Sequence, residues 1–137
     1  MRAALCRHRP IFVRRSAVHL RFILYLCGQN LDINRYMVKH IILWTLRDDL
    51  NAAEKQAVKQ RIKAGLEGLV GVVPGLLEAK VHIDGRLASS NADLMLDTTL
   101  ESPAALQGYA QHPEHLRVAN EQVRPYTAQR TCLDYEL

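Results

Sequence analysis

The sequence predicts an α+β domain in which two helices cover one face of a four-stranded antiparallel sheet. Three observations predict it. The chain has 137 residues, which is enough for one hydrophobic core and too few for two. After residue 36, apolar residues recur with strand and helix periods in the order β-α-β-β-α-β. Capping residues, glycines and prolines stand between these segments.

Residues 1–36 differ in composition from the rest of the chain. They hold seven arginines and one aspartate, a net charge of +6, whereas residues 37–137 have a net charge of −2. This composition resembles a transit peptide. The alternative is that Met37 is the true start and the preceding residues come from an incorrect gene model. We favour the second interpretation and expect this basic N-terminal extension to be poorly ordered.

The composition also excludes several classes of protein. Residues 37–137 show no basic stripe, which argues against a nucleic-acid partner. Cys6, Cys27 and Cys132 are an odd number without C-x-x-C spacing, so neither a disulfide framework nor a zinc site is predicted. A reducing cytoplasmic location fits best. No apolar run approaches the roughly 18–20 residues of a membrane span, so no membrane partner is expected.

The first strand is predicted at residues 38–46 (VKHIILWTL), which are largely apolar on both faces. Such a strand needs cover on both sides. The first helix starts with Asn51 as N-cap and Glu54 as its reciprocal partner. We expect this helix to end near 71–74. Its apolar positions follow a three- and four-residue spacing: Val58, Ile62, Leu66, Leu69, Val70 and Val73.

The second and third strands are predicted from alternation over residues 77–83 and 93–100. Their inward residues are expected to be Leu77, Ala79, Val81 and Ile83 in the second strand and Leu94, Leu96, Thr98 and Leu100 in the third. Ser102 and Pro103 form a strong helix start. This second helix breaks at residues 112–113 and stops at Pro125. The last strand covers 127–137, with Cys132 and Asp134 facing opposite to Thr131, Leu133 and Tyr135.

Right-handed crossovers place both helices on one face of the sheet, which is the ferredoxin-like arrangement. The other face, with Ile41 and Leu43, would leave a large apolar patch in a single subunit. The sequence therefore predicts a two-fold homodimer that packs sheet on sheet.

The stretch YAQHPEH, residues 109–115, gathers a phenol and two imidazoles around a proline. Pro113 suits the first position of a new helical turn, with His112 before it in an extended or capping conformation. His115 then lies on the first turn, and Tyr109 can lean toward it. The group could perform proton transfer, or it could be a hydrogen-bonded plug in a kinked helix.

Residues 37–137 resemble the stress-responsive A/B-barrel family, known as Dabb. The resemblance rests on several short motifs in this order: Val38-Lys39-His40, Pro74, Leu100-Glu101-Ser102, Tyr109, His112-Pro113-Glu114-His115 and Asp134-Tyr135. It implies a homodimer whose two sheets form a barrel, with a small pocket between each sheet and its helices.

The family includes plant polyketide cyclases that work without metal or cofactor. The resemblance implies His115 as the base, Asp134 as its support and Tyr109 as the group that polarises the substrate. His40 and His112 match further pocket histidines. A strand histidine among apolar neighbours is more simply predicted as a hydrogen-bonded core residue, and this alternative stays open for His40.

The first helix presents aliphatic residues where the cyclases have aromatic ones, so Ile62 and Leu66 are expected to line the pocket and a polyketide substrate is not implied. No metal site is predicted, because Pro113 interrupts the spacing between His112 and His115. Two functions remain open. One is a cofactor-independent lyase, cyclase or isomerase acting on a small carbonyl compound. The other is a non-enzymatic ligand-binding or stress-protection homodimer.

Overall fold

The structure, a computed structural model, describes residues 36–137. The expected disorder of the N-terminal extension concerns residues 1–35 and therefore lies outside the described part, as do Cys6 and Cys27. Residues 36–137 belong to one compact unit. Across the described range, none of the helices combines the length and the apolar character that a membrane crossing requires.

The structure has four strands: β1 (Val38–Leu46), β2 (Leu76–His82), β3 (Leu94–Leu100) and β4 (Thr127–Glu136). They form one sheet in the order β2-β3-β1-β4. Each neighbouring pair is antiparallel. The predicted ferredoxin-like α+β fold is confirmed.

Helix α1 (Ala52–Glu67) begins as predicted and ends earlier. The Asn51 side chain accepts from the N–H of Glu54 at 2.9 Å, and the Glu54 carboxylate accepts from the N–H of Asn51 at 2.8 Å. Gly68 caps the other end, so the expected continuation to 71–74 was wrong. Gly65 and Gly68 both have low helix propensity.

The second helical region is broken where the proline predicts. Helix α2 (Pro103–Gln111) is capped by Ser102, whose hydroxyl oxygen accepts from the N–H of Ala105 at 3.1 Å. His112 is extended, and helix α3 (Pro113–Val118) starts at the next residue. A π-helical turn over Ala119–Val123 follows directly, which the sequence did not predict.

One strand register differs from the prediction. A shift between Leu76 and Glu78 in the pairing of β2 with β3 turns Leu76 into the core and leaves Leu77 outside. Leu76 is 5% exposed and Leu77 is 49% exposed. The prediction for Leu77 was therefore wrong, because simple alternation takes no account of a bulge. The inward residues of β3 are all buried, as expected.

The two faces of the sheet are covered differently. The helix-covered face of β1, which carries Val38, His40, Ile42, Trp44 and Leu46, is buried throughout. The open face carries exposed apolar side chains, among them Leu43, Leu133 and Tyr135. An ion pair between Lys39 Nζ and Asp97 Oδ1 at 2.7 Å also lies there.

Candidate active site

A cavity of about 350 Å³ lies between the helix-covered face of the sheet and the helices. The polar side chains that line it are His40, Tyr109, His115, Arg124, Thr127 and Arg130. The main apolar ones are Ile42, Trp44, Leu66, Leu96, Leu106 and Val123. Sites for small molecules have this character, an apolar wall with a few convergent polar groups.

His40 and Asp134 form a short contact across the sheet. The antiparallel register places them opposite each other on β1 and β4. The Nδ1 atom of His40 lies 2.5 Å from Oδ1 of Asp134. Partial burial acts to raise the pKa of Asp134, but hydrogen bonds from His40 and Cys132 outweigh it and lower the pKa overall. The carboxylate is therefore ionised at neutral pH.

This contact corrects the predicted pairing of Asp134 with His115. His115 lies on α3, whereas residue 134 is directly opposite residue 40 in the strand register. The resemblance matched each residue to a motif, but it did not contain the distances that decide which histidine meets the carboxylate. The carboxylate-supported histidine is His40.

Tyr109 lies between the two histidines that line the cavity. Its ring centroid is 4.2 Å from that of His115 and 6.0 Å from that of His40. Tyr109 is 1% exposed, and its hydroxyl has no hydrogen-bond partner within residues 36–137. Burial raises the pKa of the phenol, while the charge of Arg130 acts in the opposite direction. Tyr109 is therefore a protonated donor without an acceptor.

His115 is held neutral by its surroundings. Burial is the main cause that lowers the pKa of its imidazole, and the charges of His40, Arg124 and Arg130 add to this effect. A backbone group of Ala110 acts in the opposite direction. The buried Nδ1 atom lacks a hydrogen-bond partner in the described part of the chain. Two residues that line the cavity, Tyr109 and His115, thus each have a buried polar atom without a partner in the described chain.

Cys132 joins His40 and Asp134 at the edge of the sheet. Its sulfur lies 3.4 Å from Oδ1 of Asp134 and 3.8 Å from Nδ1 of His40. Burial and then the neighbouring Asp134 raise the pKa of this thiol, so it is not an activated nucleophile. The three ligand atoms lie within 4.8 Å of one another and could hold a metal ion. The sequence placed Cys132 and Asp134 on one face of β4 but gave the cysteine no role.

Two of the predicted pocket residues lie outside the cavity lining. The Nδ1 atom of His112 accepts from the N–H of Glu114 at 3.3 Å and caps α3. Ile62 is fully buried in the core, while Leu66, one turn further along α1, does line the cavity. The structure does not bring His112 and Ile62 into the lining, because capping holds the His112 side chain, as the sequence predicted, and close packing encloses Ile62.

Two arginines of the cavity were missed in the sequence. Arg130 has the same strand parity as Cys132 and Asp134, so the alternation of β4 could have revealed it. Arg124 directly follows the π-helical turn, and the helical periodicity of the sequence does not predict such a turn.

Several solved structures share this fold. A dimeric protein of unknown function from Bacteroides fragilis is 29% identical, with a TM-score of 0.68 over 74% of this chain and 96% of that one. A dimeric ferredoxin-like protein of unknown function from Thermobifida fusca is 22% identical, with a TM-score of 0.62 over 78% and 96%. The hydroxynitrile lyase from Passiflora edulis is 21% identical, with a TM-score of 0.61 over 74% and 93%.

No functionally curated protein matches this chain in sequence. The family model of the stress responsive A/B barrel domain, Dabb, matches residues 38–137. This range contains all four strands, the helices and every residue that lines the cavity. The chain therefore belongs to the stress responsive A/B barrel domain family.

Proposed function

We propose that the cavity supports cofactor-independent proton transfer on a small carbonyl compound, in a reaction of the lyase, cyclase or isomerase type. One observation carries the proposal: the buried hydroxyl of Tyr109 has no partner within residues 36–137, and the Tyr109 ring packs against the rings of His40 and His115, which line the same cavity. Leaving a buried donor unpaired is unfavourable by about 1–3 kcal/mol. A substrate oxygen would satisfy it.

In this proposal Tyr109 donates its hydrogen bond to the carbonyl oxygen of the substrate. Burial keeps the phenol protonated, so it is suited to stabilise negative charge on that oxygen. His115 is neutral and in ring contact with Tyr109, and it offers a second hydrogen-bonding atom at the same place. Together they polarise the carbonyl.

His40 takes the role of base that the resemblance gave to His115. Asp134 occupies Nδ1 of His40, which fixes the tautomer and stabilises the imidazolium that forms on proton uptake. Nε2 is the nitrogen that remains for the substrate. A proton moves from a carbon next to the carbonyl to Nε2, and the electron pair of the broken C–H bond moves toward the carbonyl oxygen held by Tyr109. The Passiflora hydroxynitrile lyase, which shares the fold, gives the lyase class a precedent.

Deuterium exchange tests this chemistry without knowledge of the natural substrate. A panel of small ketones and aldehydes is incubated with the protein in D₂O, and the loss of α-proton signals is followed by ¹H NMR. We expect the protein to accelerate exchange for part of the panel. Tyr109→Phe should slow that exchange about 100-fold, the typical effect of removing one oxyanion donor. His40→Gln and Asp134→Asn should slow it as well.

His82→Gln is the matched control, because His82 is exposed and lies outside the cavity. Exchange at the buffer rate for the whole panel would contradict the catalytic proposal. Small molecules retained by the purified protein and identified by mass spectrometry would then support the alternative, a non-enzymatic ligand-binding or stress-protection protein. The largely apolar wall of the cavity is the observation that favours this alternative.

We also propose that two copies pack sheet on sheet into a barrel. The open face leaves Leu133 60% exposed and Tyr135 45% exposed. Nearly the whole of the edge strand β4 is exposed in one subunit, and pairing would cover such a surface. The neighbours from Bacteroides fragilis and Thermobifida fusca are described as dimeric. Light scattering after gel filtration should give twice the chain mass of 15.5 kDa, and a single-chain mass would contradict the proposal.

A further inference from the structure

We propose that the cavity is selective for an anionic substrate: a small carboxylic acid with an apolar body, whose carboxylate is bound by Arg124 and Arg130. The inference rests on the proposed function only for the role of the substrate's carbonyl group. The anion site itself is argued from the two arginines, their surroundings and the walls of the cavity.

The cavity holds two permanent positive charges and no negative one. Arg124 and Arg130 both line it, and no aspartate or glutamate of the described chain is among the lining residues. Asp134 is outside the lining and accepts hydrogen bonds from His40 and Cys132, and the charge of Arg130 acts on its carboxylate without forming an ion pair. Within residues 36–137 neither arginine forms an ion pair with a carboxylate.

Arg124 is positioned by the helix that precedes it. Its Nη1 atom donates to Oδ1 of Asn120, one turn earlier. Its backbone N–H donates to the carbonyl of Ala119 at 2.9 Å, the bond that closes the π-helical turn. The guanidinium thus has one side chain that orients it and further N–H groups for a ligand.

Arg130 approaches the same space from the sheet. It is opposite Trp44 in the register of β1 and β4, so its side chain leaves the sheet on the helix-covered face. Its charge affects the pKa values of Tyr109 and His115, and that of Arg124 affects His115. Both positive charges therefore lie close enough to influence the cavity residue His115, and that of Arg130 also influences Tyr109. A planar guanidinium can bind a carboxylate through two parallel hydrogen bonds.

The rest of the cavity determines the body of the ligand. Ile42, Leu66, Leu96 and Leu106 form an aliphatic wall, with the indole of Trp44 among them. A volume of about 350 Å³ is at the lower end of the range for small-molecule sites. The substrate class that fits is a carboxylic acid with an alkyl or aryl body and a carbonyl group that reaches Tyr109.

Tryptophan fluorescence measures binding directly. Trp44 is the single tryptophan of the chain, and it lines the cavity. The probes are 3-phenylpropanoate and its neutral counterpart 3-phenylpropanamide, titrated into the full-length protein. We expect the carboxylate to bind at least about tenfold more tightly than the amide, the change that loss of one charged hydrogen bond typically produces. Added salt should reduce this preference.

Four variants locate the selectivity. Arg124→Gln and Arg130→Gln should each weaken binding of the carboxylate about tenfold and leave the amide unchanged. Arg130→Lys keeps the charge but loses the planar fork, so its effect should be intermediate. Arg117→Gln is the matched control, because Arg117 is also an exposed arginine but is ion-paired on α3 and absent from the cavity lining. Circular dichroism confirms that each variant is folded.

The proposal is overturned if the amide binds as tightly as the carboxylate, if neither probe changes the fluorescence, or if Arg117→Gln weakens binding as much as the cavity variants do. These outcomes are separate from those of the exchange experiment, which uses neutral carbonyl compounds. Anion selectivity without exchange would refute the proton-transfer chemistry and keep the anion site. Exchange without anion selectivity would refute the anion site and keep the proton-transfer chemistry.

Discussion

The two faces of the sheet are built from the same strands and differ in nearly every property that concerns function. On the helix-covered face, polar groups converge on a cavity: the buried His40 meets the partly exposed Asp134, and Tyr109 remains without a partner in the described chain. On the open face the polar groups satisfy each other, as Lys39 and Asp97 do, and they are interspersed with exposed apolar side chains.

The two faces differ because helices pack on only one of them, and not because their amino-acid compositions differ. Both faces of β1 are largely apolar in sequence, and only one lies under helices of the same chain. A face whose polar atoms are paired and whose apolar atoms are exposed is suited to packing against another surface. A face with buried, unpaired polar atoms beside a cavity is suited to binding a small molecule. Mutations on each face should therefore have different effects.

The largest effect is expected from Ile41→Asp on the open face. A charge placed in an apolar contact between two sheets has to be desolvated without a partner, which is unfavourable by several kcal/mol. We expect the dissociation constant of the dimer to rise at least about 100-fold, measured by analytical ultracentrifugation. Leu87→Asp, in an exposed loop away from the sheet, should leave the dimer intact. An unchanged mass for Ile41→Asp would remove the open face from the interface.

The next effect concerns Tyr109→Phe on the helix-covered face. Removing a buried hydroxyl that has no partner relieves its desolvation penalty, so the free energy of unfolding should rise by about 1 kcal/mol. Urea denaturation measures the change. Tyr126→Phe is the comparison, since the Tyr126 hydroxyl accepts from Arg61 Nη1 at 3.0 Å and its loss should slightly destabilise the protein. A destabilised Tyr109→Phe variant would mean that the hydroxyl is already satisfied.

A smaller effect is expected from pH through His115. Burial holds the pKa of His115 in the folded protein below the ordinary histidine value of 6.5, so the unfolded chain binds more protons. The contribution to stability is therefore complete above pH 6.5 and is lost as the pH falls below it toward the folded pKa. His115→Gln should remove this part of the pH dependence in urea titrations. If the free energy of unfolding falls equally steeply below pH 6.5 in the wild-type and His115→Gln proteins, the pH dependence of stability comes from other groups.

The smallest effect is expected from Lys39→Met on the open face. The Lys39 and Asp97 side chains are 20% and 31% exposed, and partly exposed ion pairs contribute at most about 1 kcal/mol. The change in unfolding free energy should remain below that value in a single subunit. If the substitution lowers the unfolding free energy of the intact dimer by much more, the partner subunit buries the ion pair. The open face would then also contain buried polar groups.

The fold could be predicted from the sequence because its signals are local. Asn51 with Glu54, Ser102 with Pro103 and the break before Pro113 each act within a few residues, and all three are present. The two errors of the fold prediction, one in strand register and one in helix length, have equally local causes. A bulge next to Leu76 and an early end of α1 at Gly68 are small departures that a regular period does not reveal.

The site was less predictable because it depends on contacts between distant residues. Tyr109 and His115 were identified from one short motif and do lie together. The partner of Asp134 depends on the register of two strands 94 residues apart in sequence, and here the prediction failed. Arg124 was missed because it lines the cavity through an unpredicted π-helical turn.

The π-helical turn has one further consequence. In an α-helix, residues five apart diverge by about 140° around the axis, so Ala119 and Arg124 could not both face one cavity. The wider turn brings residue i+5 back over residue i, and both do face it. The extra residue of this turn thus sets the spacing by which Ala119 and Arg124 come to line one cavity.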